Sequence, residues 1–298
     1  RVIPEASTRT AELIAGNVDM ITNASPDQVD AIDASSTAKV QKVSGTRRMY
    51  VGFHQGEEYA VTEGGAAIQK AEVRRAIQYA VDVEAICANL LNAPCERATG
   101  LVNPNNAHPT LKPYPYNPEI AEYLLDQAGY PRDGNGVRFE ITLEAGQGRY
   151  LNDKNVVLAI CQYLDDIGIK TTCDIMDWSS VYVPKIRKKE AGPMFFLGSG
   201  GGTWNPLYDM SDLATVESGP NYTKWTNEEW FKGWKVINNS MDPYVIRREI
   251  DRMLEVFYNE GPWLLLYFQP DFYGVSNRVK WQERRDEEVD IFDASLAN

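Results

Sequence analysis

The chain has 298 residues, enough for two ordinary domains or for one large domain with an appendage. Apolar residues make up 43% and charged residues 24%, the balance of an ordinary globular protein with a sizeable core. Acidic residues outnumber basic ones by 42 to 30, a net charge of −12; such a surface repels phosphate backbones and anionic head groups, which argues against nucleic acid and membrane surfaces as partners.

No apolar run approaches the roughly 18 residues that cross a bilayer. Arg1 to Pro4 reads as a strand, and the absence of an initiator Met or a leader before it makes a truncated chain the expectation. Ser7 to Gly16 reads as a short helix, capped by Ser7 or Thr8 and stopped by glycine. Val18–Ile21 follows as a strand. Ser25-Pro26-Asp27-Gln28 has a capping-box layout that opens a helix to about Ser35. Arg48–Phe53 alternates as a strand, and Gly56 to Gly65 reads as a flexible stretch. Helices are expected over 70–80, with Val73, Ala76, Ile77 and Ala80 on one face, and over 83–91, capped by Asp82. The four prolines between Asn103 and Pro115 impose an extended loop. A helix then starts at Asn117-Pro118 and ends at Gly129.

Val137–Leu143 alternates as a strand, Asp153–Asp166 is an amphipathic helix, and 168–175 is a glycine stop followed by a strand. Helix 178–190, strand 193–197 and a glycine-rich loop at 198–202 come next. Asp242–Asn259 is a long helix, and 262–268 is an apolar strand. The charged patch at 283–288 reads as a solvated turn. Strands and helices alternate throughout, so the fold class is α/β.

The four cysteines form two local pairs, Cys87 with Cys95 and Cys161 with Cys173. They are either two disulfides in an oxidising compartment or four buried thiols; a zinc site lacks the spacing. Enzyme signatures are missing: there is no Gly-x-Ser-x-Gly elbow, no His-Glu-x-x-His and no P-loop ending, and only two histidines exist. No cofactor is expected. Paired carboxylates leave a glycoside hydrolase-like enzyme as one alternative, and a structural or interaction protein that binds no ligand as another.

Four segments in chain order carry a resemblance: Thr8 to Asp19, Val73-Arg74-Arg75-Ala76-Ile77-Gln78-Tyr79-Ala80-Val81-Asp82, Tyr116 to Tyr130, and Asn221-Tyr222-Thr223-Lys224-Trp225. They are similar to motifs of the family-five extracellular solute-binding proteins, the peptide and nickel binders of ABC importers. The resemblance implies a periplasmic-binding-protein-like fold of type II, with ligand held between two lobes that close about a hinge. It implies that residues 50–268 form the second lobe, 1–49 part of the first, and 269–298 the return to the first. Tyr50–Gln55 and Trp263–Gln269 would be the hinge crossings.

The implied function is extracytoplasmic delivery of a small ligand, a peptide first, to a membrane permease, by a protein that is monomeric at full length, with or without a membrane anchor. An oligosaccharide, an opine or a nickel complex would suit the same fold. In peptide-binding members an Asp four positions before a Pro pairs with the ligand's ammonium. Counting back from Pro206 gives Gly202, so that anchor is absent here. The candidate ligand contacts are Trp204 and Asn205 in the glycine loop, Arg149 and Tyr150 after strand 137–143, His54 and Gln55 at the hinge strand's exit, and Tyr222 and Trp225 in the Asn221 turn. Against each stands a plainer role: a packed turn, a solvated arginine, a hydrogen-bonded histidine, or core aromatics.

Overall fold

A computed structural model describes every residue except Pro4, Pro94, Gly201, Gly202 and Asn298. The strands, in chain order, are β1 (Met20–Ile21), β2 (Ala38–Phe53), β3 (Phe139–Gln147), β4 (Ile169–Asp177), β5 (Met194–Ser199), β6 (Trp263–Ser276), β7 (Val279–Lys280) and β8 (Ser295–Leu296). The helices are α1 (Ala6–Ile14), α2 (Val29–Asp33), α3 (Glu63–Ala67), α4 (Ala71–Ala80), α5 (Val83–Leu90), α6 (Pro118–Gln127), α7 (Asp153–Asp166), α8 (Val183–Arg187), α9 (Pro206–Ser211), α10 (Glu228–Asn238) and α11 (Pro243–Glu260).

Six strands make one mixed sheet in the order β1-β6-β2-β5-β3-β4. β2 pairs antiparallel with both β5 and β6, while β3 runs parallel to β4 and to β5. The period-2 alternation of strands sorts side chains onto two cores. Met49, Val51, Phe53, Met194, Phe196, Leu264 and Leu266 join α4, α5, α6 and α7 on one face. Tyr50, Phe195, Leu197, Trp263, Leu265 and Phe268 join α10 and α11 on the other. Leu266 and Tyr267, consecutive in β6, both face the first core. The ladder explains this: Arg48 pairs Phe268 but Tyr50 pairs Leu265, so β6 carries one extra residue there, a bulge. Gly52 is needed where the Phe195 ring lies over β2, since a Cβ would come within 2.3 Å of it.

β2 and β6 continue past this sheet centre. Their outer halves, with α1, β1 and α2, enclose a separate small cluster around Leu13, Ile32 and Phe272, and Tyr273, Val275 and Trp281 make another. Between the main and outer parts the register slips from Ser44↔Pro270 to Arg48↔Phe268. Both ends of the 50–268 segment therefore fall inside continuous strands.

Several expectations change. Residues 1–3 form no strand, because no strand among the described residues pairs with them; Pro4 lies outside the described residues. Ser7 and Thr8 lie inside α1, whose N-cap is Glu5 without a side-chain cap. The capping-box segment at Ser25 makes a 3-10 turn, Pro26–Gln28, before the short α2, and Ser25 spends its hydroxyl on Asp27. The 56–65 stretch is ordered: Thr62 caps α3 by accepting from Gly65 N at 3.1 Å. Segment 178–190 splits into a π-helical turn, Trp178–Tyr182, and α8. β2 and β6 are far longer than their alternating cores, since tertiary pairing extends them beyond what local pattern shows. Cys87 is bonded to Cys95, and Cys161 to Cys173. The latter pair ties α7 to β4.

Candidate functional site

β3 and β5 run parallel and deliver their C-terminal ends to the same edge, the usual location of a ligand crevice in such sheets. The segments that follow them enclose a cavity of about 500 Å³. Arg149 and Tyr150 enter it from the loop after β3, Trp178 and Arg187 from the π-turn and α8, and Gly198 to Gly200 from the end of β5. Tyr208, Asp209 and Asp212 enter from α9 and its C-terminal residue, Tyr222 from the Asn221 turn, and Arg47 and Tyr50 from β2.

Local bonds fix these groups. Asp153, at the first turn of α7, accepts from the backbone N–H of Arg149 and Tyr150 at 2.9 and 3.0 Å. The Tyr150 hydroxyl accepts from Gly198 N at 3.0 Å, and its ring meets Trp178 edge-on at 5.2 Å. The Arg149 guanidinium lies 5.4 Å over the Tyr150 ring. Gly200 has φ +96°, and a Cβ there would sit 2.9 Å from the Arg48 guanidinium. Asn205 caps α9 through Leu207 N at 3.0 Å, with Pro206 at the first helical position.

Beneath the cavity lies an ion pair, Arg48 Nη1 to Asp209 Oδ1 at 3.3 Å, with both side chains fully buried. Ser199 Oγ accepts from Arg48 Nη2 at 3.1 Å, and Asn103 N donates to Asp209 Oδ2 at 3.2 Å. Burial pushes the Asp209 carboxyl up, and Arg48 pulls it back. Asp212, one helical turn on and half-buried, is pushed up to about 6; burial is the main cause, Arg48 opposes it and Asp209 adds to it. Burial also raises the Tyr222 hydroxyl, with Asp212 adding and Arg187 opposing.

Of the eight expected contacts, Arg149, Tyr150 and Tyr222 line the cavity, and the other five stand elsewhere. His54 is wholly buried: its Nδ1 accepts from Gly56 N at 3.2 Å, its ring packs on Tyr59, and burial lowers it to about 4. Gln55 donates its backbone N–H to Thr223 O at 2.7 Å. Trp225 packs in the core against Trp230 and Phe257. Asn205 is a helix cap, and Trp204, exposed, lies under Arg285 at 5.9 Å. Gly202, where the ammonium anchor of peptide-binding members would stand, lies outside the described residues.

The charged segment 283–288 is not a free turn. Glu287 accepts from Arg47 Nε and Nη2 at 2.5 and 2.7 Å, and Arg285 donates to Ser44 O at 2.7 Å. These contacts bring the tail to the cavity's rim, because the segment after β6 folds back on the slipped stretch of β2.

Sequence reasoning missed Arg47, Arg48, Trp178, Arg187, Asp209 and Asp212. One signal was available: Asn205-Pro206 is a helix start, and it sets Asp209 and Asp212 three apart on one face.

A mixed sheet with an aromatic, charged crevice at its parallel strand ends is an arrangement in which α/β proteins commonly hold small solutes. The description "Bacterial extracellular solute-binding proteins, family 5 Middle" matches residues 1–220, and the chain belongs to that family. It is 25% identical over 290 residues to heme-binding protein A of Haemophilus influenzae, covering 94% of this chain and 50% of that one. It is 29% identical over 203 residues to the glutathione-binding protein GsiB of Salmonella paratyphi A, covering 65% of this chain and 38% of that one. The chain thus spans half or less of the length of these relatives. The solved oligopeptide-binding protein AppA of Bacillus subtilis, in complex with a nonapeptide, superposes with TM-score 0.81 at 21% identity, over all of this chain and 60% of that one. This shows the fold. No helix among the described residues is long and apolar enough to cross a membrane.

Proposed function

We propose that this protein captures a peptide or peptide-like solute outside the cytoplasm and presents it to the membrane permease of an ABC importer. The observation that carries the reading is the cavity of about 500 Å³ at the parallel strand ends, walled by Tyr50, Tyr150, Trp178 and Tyr222 and edged by arginines. Its size suits a small solute, and its rings and fixed charges suit stacking and orientation. Family membership supports the transport role. The names of relatives that bind heme, glutathione and a nonapeptide support an organic solute with charged ends.

Residues 50–268 serve as one lobe, and 1–49 with 269–298 belong to the other, joined by β2 and β6. The separate outer clusters and the register slip between them support this division. Closure of the two lobes about these strands completes the site. Arg149, Tyr150 and Tyr222 touch the ligand.

A thermal-shift screen of the full-length protein tests this, with peptides, nickel chelates and oligosaccharides as separate panels. A ligand at 100 times its Kd adds about 2.7 kcal/mol and raises the melting point visibly. Stabilisation by peptides is the expected result. Stabilisation by sugars or chelates alone removes the peptide assignment, and silence in every panel removes ligand capture itself.

A further inference from the structure

The charges of the cavity form a pattern. Arg47 is ion-paired with Glu287, and the buried Arg48 with Asp209. Arg149 and Arg187 are different: among the described residues neither forms an ion pair with a carboxylate, although acidic residues outnumber basic ones by 42 to 30. Both open into the cavity. Arg149 is held in place by the Asp153 bonds to its loop and by the Tyr150 ring. Arg187 ends α8. Asp212, at the C-terminal end of α9, likewise forms no ion pair among the described residues, and it lines the same cavity as Tyr222 and Arg187.

The wall therefore presents two guanidiniums and one carboxylate. An arginine fork matches a carboxylate in shape, and a lone half-buried carboxylate matches an ammonium. Resting on the transport reading above, we infer that the preferred solute is an acidic peptide-like molecule with two carboxylates and one ammonium. Its carboxylates bind Arg149 and Arg187, and its ammonium binds Asp212. A neutral tripeptide, with one carboxylate and one ammonium, leaves one guanidinium unmatched in a closing, water-poor cleft. A dianion without an ammonium leaves Asp212 unmatched. Each mismatch costs affinity, because charge-assisted bonds are the strong ones and an unpaired buried charge is penalised.

Titration calorimetry on the full-length protein decides the matter with two pairs of probes. One is glutathione against its ethyl ester; the other is Ala-Glu-Ala against Ala-Gln-Ala. The acidic member of each pair binds about tenfold tighter or more. Arg149→Gln and Arg187→Gln each remove that advantage, so that the acidic and the amide member of a pair bind alike to the variant. Asp212→Asn weakens glutathione but not its N-acetylated form. Both arginines are at least partly exposed, so these variants fold, which melting curves verify. Equal binding of Ala-Glu-Ala and Ala-Gln-Ala, or an acid preference that survives both arginine variants, overturns the inference and leaves peptide capture standing. Failure of every peptide, neutral or acidic, to bind removes the peptide assignment as well.

Discussion

The two faces of the central sheet do different work with the same strands. On the first face, β2, β3, β5 and β6 present apolar side chains to α4–α7, and the cluster is closed by these helices, of which α5 and α6 are capped, and by both disulfides. On the second face the apolar packing around Trp225, Trp230 and Phe257 stops short of the strand ends, and charged groups take over: Arg48, Asp209, Asp212, Arg149 and Arg187. The first face shows what holds the sheet and its helices together. The second shows what stability gives up so that a charged crevice can exist, since each buried ion must be paired to be tolerated.

Breaking the buried pair is expected to have the largest effect. Asp209→Ala strands Arg48 in the interior and costs about 3–5 kcal/mol by denaturant unfolding, while the double change Arg48→Met, Asp209→Leu recovers most of the loss. If the single variant loses under 1 kcal/mol, the pair is not the floor of the crevice. Truncation in the first face comes next. Ile160, with no exposure, lies under β3 and β4, and Ile160→Ala costs about 2–5 kcal/mol with no change in which ligands bind. A change of ligand preference there would erase the division between the two faces.

A smaller effect depends on pH. The buried Asp271 is pushed up to about 7, first by burial, then by Glu287, with Asp286 adding and Arg47 opposing. A carboxyl raised above its unfolded value contributes stability that is fully present below about pH 4 and is lost as pH rises through about 7. Asp271→Asn removes that loss, so it should raise the melting temperature more at pH 8 than at pH 5. Equal shifts at both values would show that the carboxyl is charged throughout. The least effect is a cap: Asn117 accepts from Ile120 N at 3.0 Å at the start of α6, and Asn117→Ala should cost about 1 kcal/mol.

Much of the fold was legible in the sequence. α7 runs over the residues its apolar spacing marks, Asp153–Asp166, and Asp82 and Asn117 cap the helices they precede. These features depend on neighbours within one turn. The candidate site was legible only in part. Arg149, Tyr150 and Tyr222 line the cavity, but Trp225 and His54 do not, because an aromatic or a histidine in a sequence carries no mark of which side of a sheet it faces. The tail at 283–288 looked solvated because charge alone suggests water. Arg285 and Glu287 instead bond to β2 residues some 240 positions earlier, Ser44 and Arg47.

What the sequence by itself determined, then, is the α/β class, the helices with caps and clean apolar stripes, the cores of the strands, and the family. What only the tertiary structure decided is the length of β2 and β6, the bulge at Leu266–Tyr267, and the convergence of Arg149, Arg187 and Asp212 on one crevice. The physical reason is range. Periodicity and capping are set by bonds within four residues, whereas strand pairing and the meeting of unlike charges are set by chain segments that come together only once the sheet has closed.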